Sequence, residues 1–343
     1  MTSACPPEGG GVPGLVSVVL ANWNGAAHAG RCLAALRAQT HPSVELLVVD
    51  NGSRDGSGAW WAAQPGVRCL RARRNRGFAW ATNQGVGASR GEFICLCNVD
   101  AELDRDFLAR ALDRLRARPA AGSVAGRLRR AQGPRGGVVL DSAGHGITRS
   151  GWAYNRGAGE LDDDRWDVAR EVFGVCAAAA IYRRAMLQDV AVLGEVLPVE
   201  FFAYQEDVDL DWRARWRGWE AWYEPRATAI HHRGGSQGWR SAAIERHVLA
   251  NRILLLARNA DAATVIRRDG SAIVAFTLMR WGRAAIRRPS TLAAAALVAR
   301  HLPRAWRARR LIRARRVVPP ASVDRWLEPT PWRRWLRPPA PPV

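Results

Sequence analysis

Glu206, Asp207, Asp209 and Asp211 place four acids within six consecutive positions of this chain. On a helix, Asp207 and Asp211 share a face at i and i+4, where like charges repel. A fold keeps such a pair mainly when a cation or a proton-transfer task uses it. Acids filling the first turn of a helix over 206–217 account for two of the four comfortably, and for all four less well. Asp100 is a second carboxylate of interest, closing an apolar run in the pattern Asn98-Val99-Asp100. At a crevice edge such a group can coordinate a hard divalent cation that bridges a diphosphate. Its plainer reading is the N-cap of a helix over 102–117, a role aspartate favours. His231 and His232 stand at another strand end, before the glycine turn Arg233-Gly234-Gly235-Ser236. Imidazole is a common metal ligand, although a lone histidine is more often a hydrogen-bonded polar group. Asn75-Arg76-Gly77 is a glycine turn with a cation able to meet phosphate.

The elements that must position these residues alternate between strand and helix patterns. Leu15–Leu20, Glu45–Asp50, Val67–Leu70 and Glu92–Cys97 are short apolar runs rich in β-branched residues. Helical patterns separate them, through Cys32, Leu33, Leu36 and Arg37, around 59–64 and at 78–89. Strands spaced this way describe a doubly wound, mostly parallel sheet. Its ligand crevice lies beyond the carboxyl ends of the strands, where Asn22 and Asn24, Asp50 and Asn51, and Asn98 and Asp100 gather. Residues 101–118 read as a helix, whereas 121–170 are glycine-rich and only weakly periodic. Trp212, Trp216 and Trp219 fall at helical spacing and are expected in the core. From about Ser241 onward the pattern is helical.

The chain has 343 residues, 48% of them apolar, enough for a proper core. It contains 51 arginines and no lysine, a uniformity that points to base composition rather than function. Residues 1–250 hold 31 arginines against 27 acids, but residues 251–343 hold 20 against 4. The net charge of +20 is therefore concentrated in the C-terminal quarter, as in a surface for polyanions or anionic headgroups. None of the six cysteines forms a C-x-x-C pair or stands at zinc-ligand spacing from a histidine. Cys95 and Cys97 share one face of a strand and should pack as small hydrophobes. No stretch approaches the ~20 apolar residues of a membrane-spanning helix. The Pro/Gly-rich 1–13 segment reads as a flexible tail without the apolar core of a signal peptide. A reduced, cytoplasmic setting is the expectation.

Six stretches, spanning roughly 15–240, resemble in order and spacing the family 2 glycosyltransferases of the GT-A fold. Within that family they are most similar to the rhamnosyltransferase-like bacterial group. They are Val16–Gly25, Glu45–Ser57, Asn75–Gly85, Asn98–Asp100, Phe201–Trp219 and His231–Ser236. The resemblance implies an α/β fold with a GT-A-like doubly wound mixed sheet and a helical C-terminal extension. It divides the chain into a flexible tail (1–13), a catalytic domain (14–240), a basic helical extension (241–318) and a Pro/Trp/Arg-rich tail (319–343). It also implies that Asp50 contacts the nucleobase with Asn22 nearby, and that Arg76 and Asn98 lie near the donor. Asp100 would bind the metal, Mg2+ or Mn2+, with His231 as a second ligand and His232 as the weaker choice. Asp207 would be the catalytic base, supported by Glu206. Asn98 stands where the family's D-x-D motif has its first aspartate. Gly194–Pro198 replaces the Phe-Asp-Glu triplet expected before the Glu-Asp motif.

The implied reaction is an inverting transfer from a nucleotide-sugar donor, dTDP-rhamnose or a UDP-sugar. The acceptor would be a saccharide or lipid-linked hydroxyl. Residues 270–316 alternate apolar patches (Ile273, Val274, Phe276, Leu278, Trp281; Leu292, Leu297, Leu302, Trp306) with arginines. Arg280, Arg283 and Arg287 share a helix face, and a dense arginine block follows from Arg304 to Arg316. Such a segment suits peripheral attachment to the anionic inner face of the cell membrane. A helical cap packed on the catalytic domain is the alternative. Two other classes compete for the whole chain. A nucleotidyltransferase of similar fold would not need the late acids plus histidine. A polyanion-binding protein would leave the strand-end acids unexplained, so nucleic acid is not an expected partner.

Overall fold

The apolar runs of the first hundred residues become four parallel strands of one sheet in the computed structural model, which describes residues 10–130, 137–233, 242–261 and 267–330. These are β1 (Val12–Asn22), β2 (Val44–Asp50), β3 (Val67–Arg71) and β4 (Gly91–Asn98), joined by α1 (Ala26–Arg37), α2 (Ser57–Ala62) and α3 (Phe78–Ala88). Parallel strands need such crossovers, and helices on both faces explain why the runs are apolar throughout rather than alternating. The register fixes what matters for the site. Asn22 stands opposite Asp50, and Ala21 opposite Asn98. Three polar residues thus reach the same end of three adjacent strands.

Two corrections follow Asp100. Ala101–Leu103 is a short strand, β5, and the helix α4 starts only at Phe107 (Phe107–Ala117), with Asp106 at its N-cap. Asp100 is therefore no cap. The unread 121–170 region supplies β6 (Ala121–Arg130), β7 (Leu140–Ser142), β8 (His145–Thr148) and β9 (Ala153–Asn155). β7, β8 and β9 are only three or four residues long, too few for a period to register. Next come β10 (Arg170–Val172), β11 (Ala179–Arg183), α5 (Arg184–Val190), α6 (Glu206–Trp216) and β12 (Glu220–His231). The sheet order is β10-β12-β6-β11-β4-β1-β2-β3, with β5 beside β12 and β7 beside β6. Because β11 runs antiparallel to both β4 and β6, the sheet is mixed. Its faces bury two cores, one under α1 and α4 and the other under α3 and α5. Cys95 and Cys97 pack in the first of these, and Trp212 and Trp216 in a third core formed with the C-terminal helices.

Those helices are α7 (Ala242–Asn259), α8 (Arg267–Arg287), α9 (Ala294–Ala314) and α10 (Pro320–Asp324), followed by a last strand β13 (Leu327–Glu328) that pairs with β8. Residues 320–328 of the stretch read as a terminal tail from 319 thus pack back into the body, and β1 begins two residues before the expected boundary. Many arginines of the basic block are latches. Arg304 pairs with Glu195 (2.8 Å) and Glu200 (3.1 Å). Arg316 pairs with Asp261 (2.7 Å) and lies over the Trp216 ring at 3.6 Å. On α8, Phe276 is buried and Arg280 stacks on Trp152, so the proposed arginine face at 280, 283 and 287 is not a free stripe. Val274 (57% exposed), Leu278 (69%) and Ile286 (86%) form the outward face instead.

Candidate active site

At the β1–β2 end, the Asn22 amide donates to Asp50 Oδ1 (2.9 Å) and to Ser57 Oγ (2.9 Å), and both Asn22 and Asp50 are buried. Gly58 makes this possible, since a Cβ there would stand 2.3 Å from Asp50 Oδ2. Next to it, Asn51 accepts from the Arg76 N–H (3.0 Å) and donates to the Gly77 carbonyl (3.0 Å). Gly77 adopts φ +93°, and a Cβ would meet the Phe202 carbonyl oxygen at 2.5 Å, so glycine is required twice over. The Arg76 guanidinium itself stacks on Trp80, 4.2 Å from the ring.

Where β5 pairs with β12, His231 Nε2 lies 3.3 Å from Asp100 Oδ1 and 3.4 Å from the Asn98 amide nitrogen. Its Nδ1 bonds Asp141 Oδ2 at 2.8 Å. Asp141 is fully buried and also pairs with Arg130 (3.4 Å) and Arg233. Burial opposes a charge on His231, but Asp100 and Asp141 outweigh it and hold the pKa at about 10. A carboxylate that fixes one imidazole nitrogen and leaves the other beside a second carboxylate is the usual support of a metal-binding histidine. The 3.3 Å donor separation also matches neighbouring ligands of one cation, roughly 3 Å for bonds of ~2.1 Å. The residues fit a divalent cation. His232 turns elsewhere, to Glu102 at 2.5 Å. Of the following glycine turn, residues 234–236 lie outside the described residues.

The four acids of α6 divide sharply in role. Asp209 is fully buried between Arg258 (2.7 Å) and Arg213 (2.8 Å); burial alone would raise its pKa, yet these cations lower it to about 2. It is a structural anchor. Asp211 accepts from the Val175 N–H (3.1 Å) and bonds His145 Nδ1 (2.8 Å) through the same oxygen. Burial raises it to about 6, against the pull of His145. Asp207 accepts from the Ala177 N–H (3.2 Å), and its Oδ2 lies 3.6 Å from His145 Nε2. Glu206 is buried, and burial together with the adjacent Asp207 raises it to about 8. The i, i+4 repulsion foreseen between Asp207 and Asp211 is thus relieved by one imidazole seated between them. His145, Cys176 and Asp207 also bring donor atoms within 4.8 Å of one another, a second place where an ion could sit. That group already has internal partners, however, in the His145 contacts to Asp207 and Asp211.

One short segment joins the last two clusters. Ala177 donates to Asp207 (3.2 Å), while the Ala178 carbonyl accepts from the Asn98 N–H (2.8 Å). Tyr204 senses charges of both; burial, then Glu206 and Asp100, raise its hydroxyl pKa. The arrangement links the Asp207 carboxylate to the Asp100–His231 carboxylate–imidazole pair across one short segment.

The glycosyl transferase family 2 model matches residues 17–191, half of the chain. The chain belongs to that family. Among similar proteins is the N-acetylglucosaminyl-diphospho-decaprenol L-rhamnosyltransferase of Mycobacterium tuberculosis, 26% identical over 246 residues, 65% of this chain and 78% of that protein. Another is the succinoglycan biosynthesis protein ExoO of Rhizobium meliloti, 38% identical over 111 residues, 32% of each. Among solved structures, GalNAc-T7 with UDP, GalNAc and Mn2+ superposes with a TM-score of 0.55 at 14% identity. That match covers 71% of this chain and 48% of the other, so the chain spans about half of that structure, and the likeness supports the GT-A fold. This family 2 chain therefore brings together Asn22 with Asp50, and Asn98 and Asp100 with His231, and links Asp207 to the latter group. The side chains of Arg76 and His232 turn instead to Trp80 and Glu102. Sequence reading missed Asp141, His145 and Cys176. The first two frame the compact polar stretch Asp141-Ser142-Ala143-Gly144-His145, in which Gly144 takes φ +96°, and that was the available signal.

Proposed function

We propose that the chain transfers a sugar from a nucleotide-diphosphate donor to an acceptor hydroxyl, inverting the anomeric carbon. The observation that carries this reading is the 177–178 junction, which ties the Asp207 carboxylate to the Asn98–Asp100–His231 edge. Asp50 and Asn22 would hold the nucleobase, in a buried setting where a lost hydrogen bond is costly. The acceptor oxygen forms a bond to the anomeric carbon as the bond to the diphosphate oxygen breaks, and the nucleoside diphosphate leaves with the electron pair. Asp207 takes the hydroxyl proton, a contribution of roughly 10²–10⁴ in rate. Asp100 and His231 would hold the divalent cation, which when bound neutralises charge on the leaving diphosphate.

The L-rhamnosyltransferase relative supports rhamnose as the sugar and a lipid-linked saccharide as acceptor, and dTDP-rhamnose is the donor we place first, with UDP-sugars next. Attachment to the inner face of an anionic membrane suits such an acceptor. Among the described residues no helix is long and apolar enough to cross a membrane. The outward Val274, Leu278 and Ile286 row of α8, with exposed Arg287 beside it, is the surface we assign to the headgroup plane. The test is a panel of nucleotide sugars with and without Mn2+, read by nucleoside diphosphate release. Metal-dependent release from dTDP-rhamnose or a UDP-sugar is expected, and no release from any donor with lipid-linked acceptors would overturn the proposal.

A further inference from the structure

His145 is a buried ionisable group at this edge that the proposed reaction does not yet use. It enters β8 from Gly144, and its N–H donates to the Gly174 carbonyl at 2.8 Å. Gly174 has a specific reason to lack a side chain, because a Cβ there would stand 1.9 Å from Asp211 Oδ2. The backbone thus makes room for Asp211 to reach Val175 and His145 together. The outcome is a linear array, with Asp211 Oδ2 2.8 Å from Nδ1 of His145 and Nε2 3.6 Å from Asp207 Oδ2. The ring is 4% exposed and Asp211 3%.

We propose that His145 is a positioning residue for Asp207: oriented by Asp211, it presents its Nε2 to Asp207 Oδ2 and holds that carboxylate aimed at the acceptor hydroxyl. The inference rests on Asp207 being the base. Two carboxylates one turn apart on a helix repel each other, and the imidazole seated between them offsets that repulsion. The 3.6 Å gap to Asp207 closes when the acceptor draws the carboxylate into line, as apo contacts commonly do. The ionisable groups facing the ring are Asp207, Asp211 and Glu206 from α6, Cys176 from the preceding loop and Tyr182 from β11. Burial works against a charged ring, but Asp207 and Asp211 outweigh it and raise its pKa well above the ordinary value. His145 itself loses no proton in the cycle. The acceptor proton moves to Asp207 and from there to solvent.

The experiment compares the wild type with His145→Gln and Asp211→Asn in sugar transfer across pH 5–9, with Mn2+ saturating. Both variants should lose roughly tenfold or more in kcat with donor KM little changed. The acidic limb of the kcat/KM profile should move up by about one unit. Loss that is uniform in pH, or an unmoved limb at unchanged kcat, overturns the inference. A metal role for His145, Cys176 and Asp207 would instead show as wild-type inhibition or activation by Zn2+ that Cys176→Ser abolishes, and it too would overturn it. Should the variants fail to fold, nitrogen-15 shifts of the wild-type imidazoles decide. His145 must be doubly protonated at pH 7.5, and a neutral tautomer sinks the idea. A wild type that transfers no sugar from any donor overturns both this inference and the reading beneath it.

Discussion

Asp141→Asn is the sharpest probe of the cation edge. Asp141 is fully buried, accepts from His231 Nδ1 at 2.8 Å, and balances Arg130 and Arg233. The asparagine keeps the volume and one acceptor oxygen but turns an amide N–H₂ toward the guanidinium groups. His231 loses the charge that fixes its tautomer and strengthens Nε2 as a ligand. Removing such a supporting carboxylate typically costs 10–100-fold in metal affinity or activity, or about 1.4–2.7 kcal/mol at 1.36 per decade. The assay is the Mn2+ concentration for half-maximal nucleoside diphosphate release at saturating donor. It should rise by about 10–100-fold, while the nucleotide alone is bound as before. The variant should also flatten the acid side of the stability curve. Burial disfavours the Asp141 charge, but His231 and Arg233 outweigh it and lower its pKa. Its contribution is therefore present above the unfolded value near 4 and lost as pH falls below it. A half-maximal Mn2+ concentration within twofold of the wild type would refute the claim that Asp141 orients a metal-binding His231.

Three further outcomes follow from the same geometry. Asn251 donates from one amide to the carbonyls of Phe201 (2.8 Å), Ala203 (2.9 Å) and Tyr204 (2.8 Å). Asn251→Ala should cost about 1–3 kcal/mol in chemical denaturation and lower kcat. The segment it holds carries positive φ at Phe202, Tyr204 and Gln205 immediately before Asp207, and unchanged stability would show that the clamp is idle. Glu206 keeps its proton to about pH 8 in the fold but loses it near 4.3 when unfolded, so the wild type should lose stability as pH rises from 5 to 8. Glu206→Gln should gain on it across that window in urea unfolding, and parallel pH curves would contradict the assignment. Full-length protein should sediment with anionic but not neutral vesicles and detach in high salt, where screening shortens the field. Val274→Asp with Leu278→Asp and Ile286→Asp should abolish that binding without altering the unfolding midpoint, and retained binding would move the anchor elsewhere.

The first hundred residues were legible because each strand is a short apolar run that ends on a polar pair, and the crossovers force those ends to one edge. Asn22, Asp50 and Asn98 could be aligned from the sequence for that reason. Asp207 and Asp211 announced themselves as a conflict, but its resolution was not legible. The relieving imidazole sits more than sixty residues earlier in sequence, on a four-residue strand inside a glycine-rich stretch with no readable period. Asp141 was hidden for the same reason. The C-terminal arginines misled in the opposite direction. Composition registers charge but not direction, and Arg258, Arg304 and Arg316 spend theirs on Asp209, Glu200 and Asp261 inside the molecule.

Asp207→Asn tests the central claim most directly, because it removes the proton acceptor while leaving the volume and the Ala177 contact nearly intact. Donor binding, measured by calorimetry with Mn2+ and the nucleotide sugar released fastest by the wild type, should stay within a fewfold of the wild-type value. Transfer to the acceptor should fall by roughly 10²–10⁴. A variant that binds donor and still transfers sugar at the wild-type rate would contradict the account, and the base would have to be sought elsewhere.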